Sequence, residues 1–112
     1  MKAYTIFLLK DIVCKREKGY CVKSNGADQN SGQQKLNSLD VTTTGQQQEC
    51  LRLCREIVGA NGCEGNHDNI YRGCYAHTQE VARGSGTDDK FGCWILSKCY
   101  EGNFTLWILE AV

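Results

Sequence analysis

Residues 46–58 read QQQECLRLCREIV, and their spacing predicts the helix around which the chain folds. Cys50, Leu53, Cys54 and Ile57 follow one another at i, i+3, i+4 and i+7, so they share one helix face. An apolar face of this kind has to be covered by another part of the chain. We expect an antiparallel sheet to cover it.

The ends of this helix also have sequence signals. Thr44 is the predicted N-cap, and Gln47 three residues later has the spacing of a capping box. Gly59 follows the last apolar position and is predicted to end the helix.

The chain contains eight cysteines in 112 residues. An even count at this density in a short chain indicates a disulfide framework and an oxidising, extracellular location. Cys50 and Cys54 lie one helical turn apart, so each can reach a different strand, and they are poorly placed to bridge each other. The eight cysteines are Cys14, Cys21, Cys50, Cys54, Cys63, Cys74, Cys93 and Cys99.

Metal binding and thiol catalysis are the alternatives to disulfide formation. Structural zinc sites usually contain close pairs such as Cys-x2-Cys, and the sequence has none. Cys63 with His67, and Cys74 with His77, are the remaining candidate zinc ligands, but disulfides are favoured. A catalytic thiol would be the odd cysteine left by the bridges, and an even count leaves none. We therefore expect no metal, no cofactor and no enzymatic activity.

The overall composition limits the classes of partner. Thirteen basic and thirteen acidic side chains give zero formal net charge, which favours neither nucleic acid nor an anionic membrane. A chain of this length is expected to form one domain, residues 1–112. The apolar run at residues 3–9 is much shorter than the roughly 20 residues of a membrane-spanning helix, so no membrane insertion is expected. We interpret it as a strand, with a remnant of a secretion signal as the alternative.

Short apolar segments separated by glycine-rich turns predict strands. They lie at residues 3–9, 73–78, 91–98 and 104–109. The polar stretch at residues 24–38 is expected to be a long exposed loop. We expect the two terminal segments to lie close together, with direct pairing as one arrangement. One helix packed on an antiparallel sheet places the chain in the α+β class.

The helix resembles the core signature of the PAN/apple superfamily. The matching features are ECLRLC at residues 49–54, Cys63 opening a strand, GCY at residues 73–75, GYC at residues 19–21, and a closing cysteine near Trp94 or Lys98. The resemblance covers about residues 19–99. Members of this superfamily are extracellular modules that bind proteins or carbohydrates and are not generally enzymes, and the resemblance implies the same here.

The resemblance also implies a disulfide pattern. Both helix cysteines would be bridged to strands, as Cys54–Cys63 and Cys50–Cys74. Two further pairs remain open, because Cys21 would pair with Cys93 or Cys99 and Cys14 with the other.

A basic cluster is the first candidate ligand-binding site. Lys15, Arg16, Lys18 and Lys23 lie close together in the sequence around two cysteines. Such a cluster is suited to sulfated glycans or other anionic surfaces. A solvated turn, with nearby acidic residues reducing the field, is the alternative.

The 83–89 loop, RGSGTDD, is the second candidate site. Arg83, Ser85 and Asp88 offer a cation, a hydroxyl and a carboxylate on a glycine-rich backbone, a set suited to a sugar or to calcium. A plain connection between strands is the alternative. His77 is a third candidate ligand contact, with a packing role as its alternative.

Two further signals concern secretion and sugar binding. Asn103 begins the sequon Asn-Phe-Thr and is a candidate glycosylation site. Trp94, Trp107, Tyr75 and Tyr100 are candidates for an aromatic platform under a glycan, with core packing as the alternative.

Together these features predict a secreted binding module. A lectin-like carbohydrate-binding role is the first expectation, and cell adhesion through a protein ligand is the second. A structural or matrix protein, whose terminal strands assemble into a homo-oligomer, is the alternative from another class. A small secreted hydrolase is a distant third, suggested only by His67 and Asp68 after Cys63.

Overall fold

The computed structural model describes residues 3–28 and 32–111. The prediction of a small disulfide-rich α+β protein, with one helix and antiparallel sheets, is confirmed for these residues. The described elements, in chain order, are β1 (Ala3–Val13), β2 (Glu17–Lys18), β3 (Cys21–Val22), β4 (Gln33–Asn37), α1 (Thr44–Arg55), β5 (Gly62–Asn66), β6 (Gly73–His77), β7 (Arg83–Gly84), β8 (Phe91–Ile95), a 3₁₀ turn (Leu96–Lys98) and β9 (Tyr100–Ala111).

The centre of the molecule is a five-stranded antiparallel sheet in the order β2-β8-β5-β6-β4. Helix α1 packs on one face of this sheet, and the core between them contains Leu51, Ala76 and Trp94. Two smaller sheets pair β3 with β7 and β1 with β9. None of the described helices has the length and apolar character needed to cross a membrane.

Helix α1 begins and ends earlier than its sequence predicts. Its N-cap is Thr43 rather than Thr44, and the capping box closes with Gln46 rather than Gln47. Thr43 Oγ1 accepts from Gln46 N at 3.2 Å, and Gln46 Oε1 accepts from Thr43 N at 2.9 Å. Thr43 with Gln46 and Thr44 with Gln47 form two overlapping capping-box patterns, and the sequence does not distinguish between them.

The C-terminal end also falls short of the predicted residue 58. The last helical residue is Arg55, and Ile57 N then donates to Cys54 O at 3.1 Å, which tightens the final turn. Gly59 adopts a φ of 82°, a left-handed conformation that favours glycine, and turns the chain towards β5.

The buried helix face is rotated relative to the predicted one. Cys50, Leu51 and Cys54 are buried, whereas Leu53 is half-buried. The rotation arises because β1 covers a second side of the helix: Gln48 accepts from Ile12 N at 2.9 Å and donates to Ile12 O at 2.7 Å. Sequence periodicity identifies the helix face that packs on the central sheet, but it does not indicate the second contact of the helix with β1.

The prediction of a long exposed loop at residues 24–38 is wrong for the last part of this segment. Gln33–Asn37 forms β4, an edge strand that pairs antiparallel with β6, with Gln33 opposite His77. None of its residues is fully buried, because an edge strand is fixed by backbone hydrogen bonds and needs few apolar contacts. Residues 29–31 of this segment lie outside the described residues.

Strand β5 occupies the middle of the sheet although GCEGN has no aromatic or β-branched residue. All five residues are buried. Gly65 faces the helix side, and a Cβ at this position would lie 2.5 Å from Val41 Cγ1 and 2.8 Å from Trp94 Cζ3. The strand is therefore shaped by the space available to it rather than by β propensity.

Four disulfides join these elements. The two helix cysteines bond to strands on the helix side of the sheet, as Cys50–Cys74 and Cys54–Cys63, which are the pairs that the resemblance implies. The pairs left open in the sequence are Cys21–Cys93 and Cys14–Cys99.

The two terminal strands pair antiparallel, which confirms that the terminal segments lie close together. The register runs from Ala3 opposite Ala111 to Val13 opposite Tyr100. The Cys14–Cys99 disulfide follows directly after the last pair. We call this β1–β9 pair the terminal ribbon. The molecule is elongated, with extents of 54 × 29 × 23 Å.

Candidate functional site

The sheet face opposite the helix carries polar side chains that are deeply buried. Because Cys63 points to the helix, alternation along β5 directs Glu64 and Asn66 to the opposite face. Glu64 is 4% exposed, Asn66 1% and His77, on the adjacent strand β6, 0%. Buried polar groups of this kind need hydrogen-bond partners, so their contacts indicate what the face can do.

Glu64 is the centre of this group. Its Oε1 accepts from Cys21 N at 2.8 Å, and its Oε2 accepts from Asn66 Nδ2 at 2.7 Å. His77 Nε2 lies 3.2 Å from Glu64 Oε1, but neither ring nitrogen makes a well-directed hydrogen bond with a described residue. We regard the histidine and the carboxylate as close electrostatic neighbours rather than as a hydrogen-bonded pair.

The side-chain amide of Asn66 is held in one orientation. A carboxylate oxygen only accepts, so Nδ2 must face Glu64, and a flipped amide would bring two oxygens together. Asn66 Oδ1 is then buried without a hydrogen-bond partner among the described residues. An unpaired acceptor at this depth costs about 1–3 kcal/mol unless something donates to it.

A pocket of about 280 Å³ lies over these groups. Its aromatic side is formed around Phe91, whose ring makes edge contacts with Tyr20 and Tyr71, each at a centroid distance of 6.1 Å. We call it the polar pocket. It is lined by Tyr20, Asp28, Gln33, Glu64, Asn66, Tyr71 and Phe91.

The segment that presents Tyr71 is fixed by two neighbours. Asp68 Oδ1 accepts from Tyr71 N at 3.0 Å and from Ile70 N at 2.7 Å, and these bonds, that of Tyr71 first, lower the pKa of the Asp68 carboxyl. The Tyr75 hydroxyl donates to Tyr71 O at 2.9 Å. Burial raises the pKa of Tyr75, and the nearby charge of Glu64 adds to this effect. Asp68 therefore stabilises a turn beside the pocket.

The candidate residues of the 83–89 segment contact their neighbours in the sequence and do not line the polar pocket. Arg83 and Gly84 form β7, paired with β3, so the start of the expected surface loop is a short strand. Ser85 Oγ lies 3.0 Å from Thr87 Oγ1, and Asp88 Oδ1 accepts from Lys90 N at 2.9 Å. These contacts are typical of a connection between strands.

The basic cluster lies against the same segment. Arg16 Nη2 donates to Asp89 O at 2.9 Å, and Lys18 Nζ lies 3.6 Å from Asp89 Oδ1. Lys15 is exposed. The structure therefore brings two of the sequence-predicted sites together at one edge of the sheet, with part of the basic charge paired to Asp89.

The remaining candidates are separated from that edge. His77 is buried beside Glu64 beneath the polar pocket. Asn103 is exposed on β9. Of the aromatic candidates, Trp94 and Tyr75 are buried and Tyr100 is 66% exposed, whereas the side chain of Trp107 lies outside the described part of the chain.

One group of potential metal ligands occurs among the described residues. Cys21 Sγ, a Glu64 oxygen and a His77 nitrogen lie within 4.8 Å of one another. The sulfur is bonded to Cys93, however, so it is not a thiolate that could bind a metal. The group is better described as a disulfide packed against a carboxylate and an imidazole.

Sequence reasoning missed most of the pocket, including Tyr20, Asp28 and Asn66. One signal was available: if Cys63 opens a strand, Glu64 and Asn66 must share its other face.

No known protein family, curated protein or solved structure matches this chain. The site is therefore interpreted from its own chemistry.

Proposed function

We propose that this protein is an extracellular binding module of the PAN/apple type that recognises carbohydrate in the polar pocket and does not catalyse a reaction. Four disulfides suit an oxidising compartment, and the helix with two bridged cysteines suits the superfamily that the sequence resembles. A fold resemblance does not name a ligand, so the ligand class rests on the pocket.

The observation that carries the proposal is the unpaired oxygen of Asn66 at the floor of a pocket with an aromatic wall. Sugars present hydroxyl donors together with apolar C–H faces. A hydroxyl that donates to Asn66 Oδ1 would remove the cost of the unpaired acceptor, while the C–H face packs on Phe91 and Tyr71. Concave sites with a few fixed polar groups are typical of small-ligand recognition.

The proposed absence of catalysis rests on the resemblance, whose members are not generally enzymes, and Glu64 is suited to a binding role. Both of its oxygens already accept hydrogen bonds from protein groups, and the side chain is almost fully buried. A carboxylate held in this way is suited to positioning Asn66 and to binding.

The test is a titration of the disulfide-bonded protein with sugars, in which binding is monitored by two-dimensional NMR of the amide groups. Binding in the pocket is expected to shift the Asn66 side-chain signals, and Tyr71→Ala should weaken it. Tyr100→Ala is the matched control, because both tyrosines are exposed, at 57% and 66%, and Tyr100 lies on the terminal ribbon.

Two results would contradict the proposal. No shift with any sugar would remove carbohydrate as the ligand and leave a protein ligand as the next hypothesis. Binding that survives Tyr71→Ala but is lost in Arg83→Ala would move the site to the 83–89 segment.

Self-assembly is the second candidate function, and the terminal ribbon favours it. Each strand of the ribbon pairs only with the other among the described strands, which leaves two open edges on an apolar sequence. A two-stranded ribbon is marginally stable alone, so a further strand would stabilise it. Light scattering over a range of concentrations tests this: a rising mass favours assembly, and a constant monomer mass rejects it.

A further inference from the structure

We propose that the polar pocket selects an amino sugar, through its protonated primary amine, over neutral sugars. This inference rests on the proposed carbohydrate binding in the same pocket and specifies which sugar the pocket prefers. Three features carry it: the charge of the lining, the hydrogen-bond character of the floor, and the aromatic wall.

The lining is negatively charged although the whole chain is neutral. Glu64 and Asp28 contribute carboxylates, and the other described lining residues are uncharged. Residues 29–31, which lie outside the described part of the chain, read Gln-Asn-Ser and add no charge. His77 adjoins Glu64 beneath the floor.

One lysine on the same face of the sheet, Lys35, lies outside the lining. Lys35 on β4 has its Nζ 5.7 Å from the centre of the Tyr75 ring and does not line the pocket. A cationic ligand would therefore meet no fixed cation among the described lining residues.

The floor offers more acceptor sites than donors. One N–H of Asn66 Nδ2 donates to Glu64 and leaves one donor, whereas Asn66 Oδ1 is unpaired. The Glu64 carboxylate has about four lone-pair sites, of which two are occupied by Cys21 N and Asn66 Nδ2. An ammonium group has three donors and no acceptor, so it matches this floor better than a hydroxyl does.

The aromatic wall adds a second attraction for a cation. Phe91, Tyr20 and Tyr71 surround one side of the pocket, and a ligand ammonium within about 6 Å of a ring centre is attracted to its face. N-acetylation of the amine would remove the charge and leave a single N–H donor. We therefore expect the pocket to discriminate between an amino sugar and its N-acetylated form.

A lysine side chain carries the same ammonium group, but the rest of the pocket favours a sugar. The Gln33 amide and the rings of Tyr20 and Tyr71 lie beyond the floor, where ring hydroxyls and C–H groups would meet them. Next to its nitrogen, a lysine side chain has only methylene groups and no hydroxyl that could bind the Gln33 amide. A lysine derivative is therefore included in the test as a competing source of the amine.

The experiment titrates the intact protein with D-glucosamine, N-acetylglucosamine, glucose and Nα-acetyl-lysine methylamide, at a pH where both amines are protonated. The Asn66 side-chain amide signals report binding. We expect glucosamine to bind about tenfold or more tightly than glucose and N-acetylglucosamine, because it forms charge-assisted hydrogen bonds. The preference should decrease with added salt.

Two variants and one control test the carboxylates. Glu64→Gln and Asp28→Asn each remove one negative charge from the lining and should lower the preference for glucosamine. Glu49→Gln makes the same change on the exposed side of the helix, across the sheet from the pocket, and should leave the preference unchanged. If Glu64→Gln fails to fold, Asp28→Asn at the exposed edge of the pocket still gives the result.

The outcomes separate this inference from the proposed function. Equal binding of glucosamine, N-acetylglucosamine and glucose would overturn the inference and leave carbohydrate binding standing. Binding of no sugar would overturn both. A lysine derivative that binds as tightly as glucosamine would overturn the assignment to an amino sugar, and so would a preference that persists in every folded pocket variant.

Discussion

Gly65→Ala adds one methyl group to the tightest point of the central strand. The new Cβ would lie 2.5 Å from Val41 Cγ1 and 2.8 Å from Trp94 Cζ3, well inside van der Waals contact. Val41 and Trp94 are 3% and 1% exposed, so neither has free space into which it can move. Gly65 has no positive φ, which means that the added volume, rather than the backbone conformation, is what the substitution tests.

The magnitude follows from two opposing effects. Overpacking a core by a methyl group costs about 1–3 kcal/mol. An alanine also restricts the unfolded chain relative to glycine, which returns about 0.4–1 kcal/mol. We expect a net loss of about 1–2 kcal/mol in the free energy of unfolding, and a decrease in Tm of roughly 5–10 °C.

Thermal unfolding followed by circular dichroism, with the disulfides intact, measures this effect. Gly45→Ala is the matched control, because an alanine Cβ there would have no described heavy atom within 4 Å and position 45 lies in the first turn of α1. The control should leave Tm unchanged or raise it, since alanine favours helix. A Gly65→Ala variant that unfolds at or above the Tm of the parent protein would refute the packing argument.

Three further predictions concern the helix cap, a turn and a disulfide. Thr43→Ala removes a capping hydrogen bond and should lower the free energy of unfolding by about 1 kcal/mol, measured by urea denaturation; an unchanged midpoint would contradict the observed cap. The lowered pKa of Asp68 adds stability that is present above its ordinary value of 3.8 and is lost as the pH falls through the lower folded value. Asp68→Asn should therefore show a smaller decrease in Tm between pH 7 and pH 2 than the parent protein, and an equal decrease would contradict this. Replacing both Cys14 and Cys99 by serine opens the loop that their disulfide closes, which the Cys21–Cys93 bridge already shortens to roughly 15 residues. The free energy of unfolding, measured by urea denaturation, should therefore fall by about 3 kcal/mol. A negligible change would contradict this prediction.

The parts of the fold that sequence predicts best are those with a covalent or periodic signal. Cys50 and Cys54 indicate both the helix and its attachment to two strands. The apolar terminal segments indicate strands, although β1 and β9 extend further than the predicted residues 3–9 and 104–109. These features depend on local pattern, which the sequence carries directly.

The parts that sequence predicts poorly depend on neighbours. Strand β4 is polar and is defined by its backbone pairing with β6. Strand β5 has glycine where Trp94 needs space, so its propensity is low at the centre of the sheet. The polar pocket combines residues from distant segments, such as Tyr20 and Phe91, and no local spacing relates them.

The disulfide at the base of the terminal ribbon has a mechanical consequence. Tension applied between Ala3 and Ala111 would load the ribbon from its open end, where the two strands lie side by side in opposite directions. The backbone hydrogen bonds would then break one pair at a time and at low force, until the pair of Val13 and Tyr100 is reached. The next link is the covalent Cys14–Cys99 bond, so force would pass from strand to strand through that bond and leave the central sheet and its pocket unloaded.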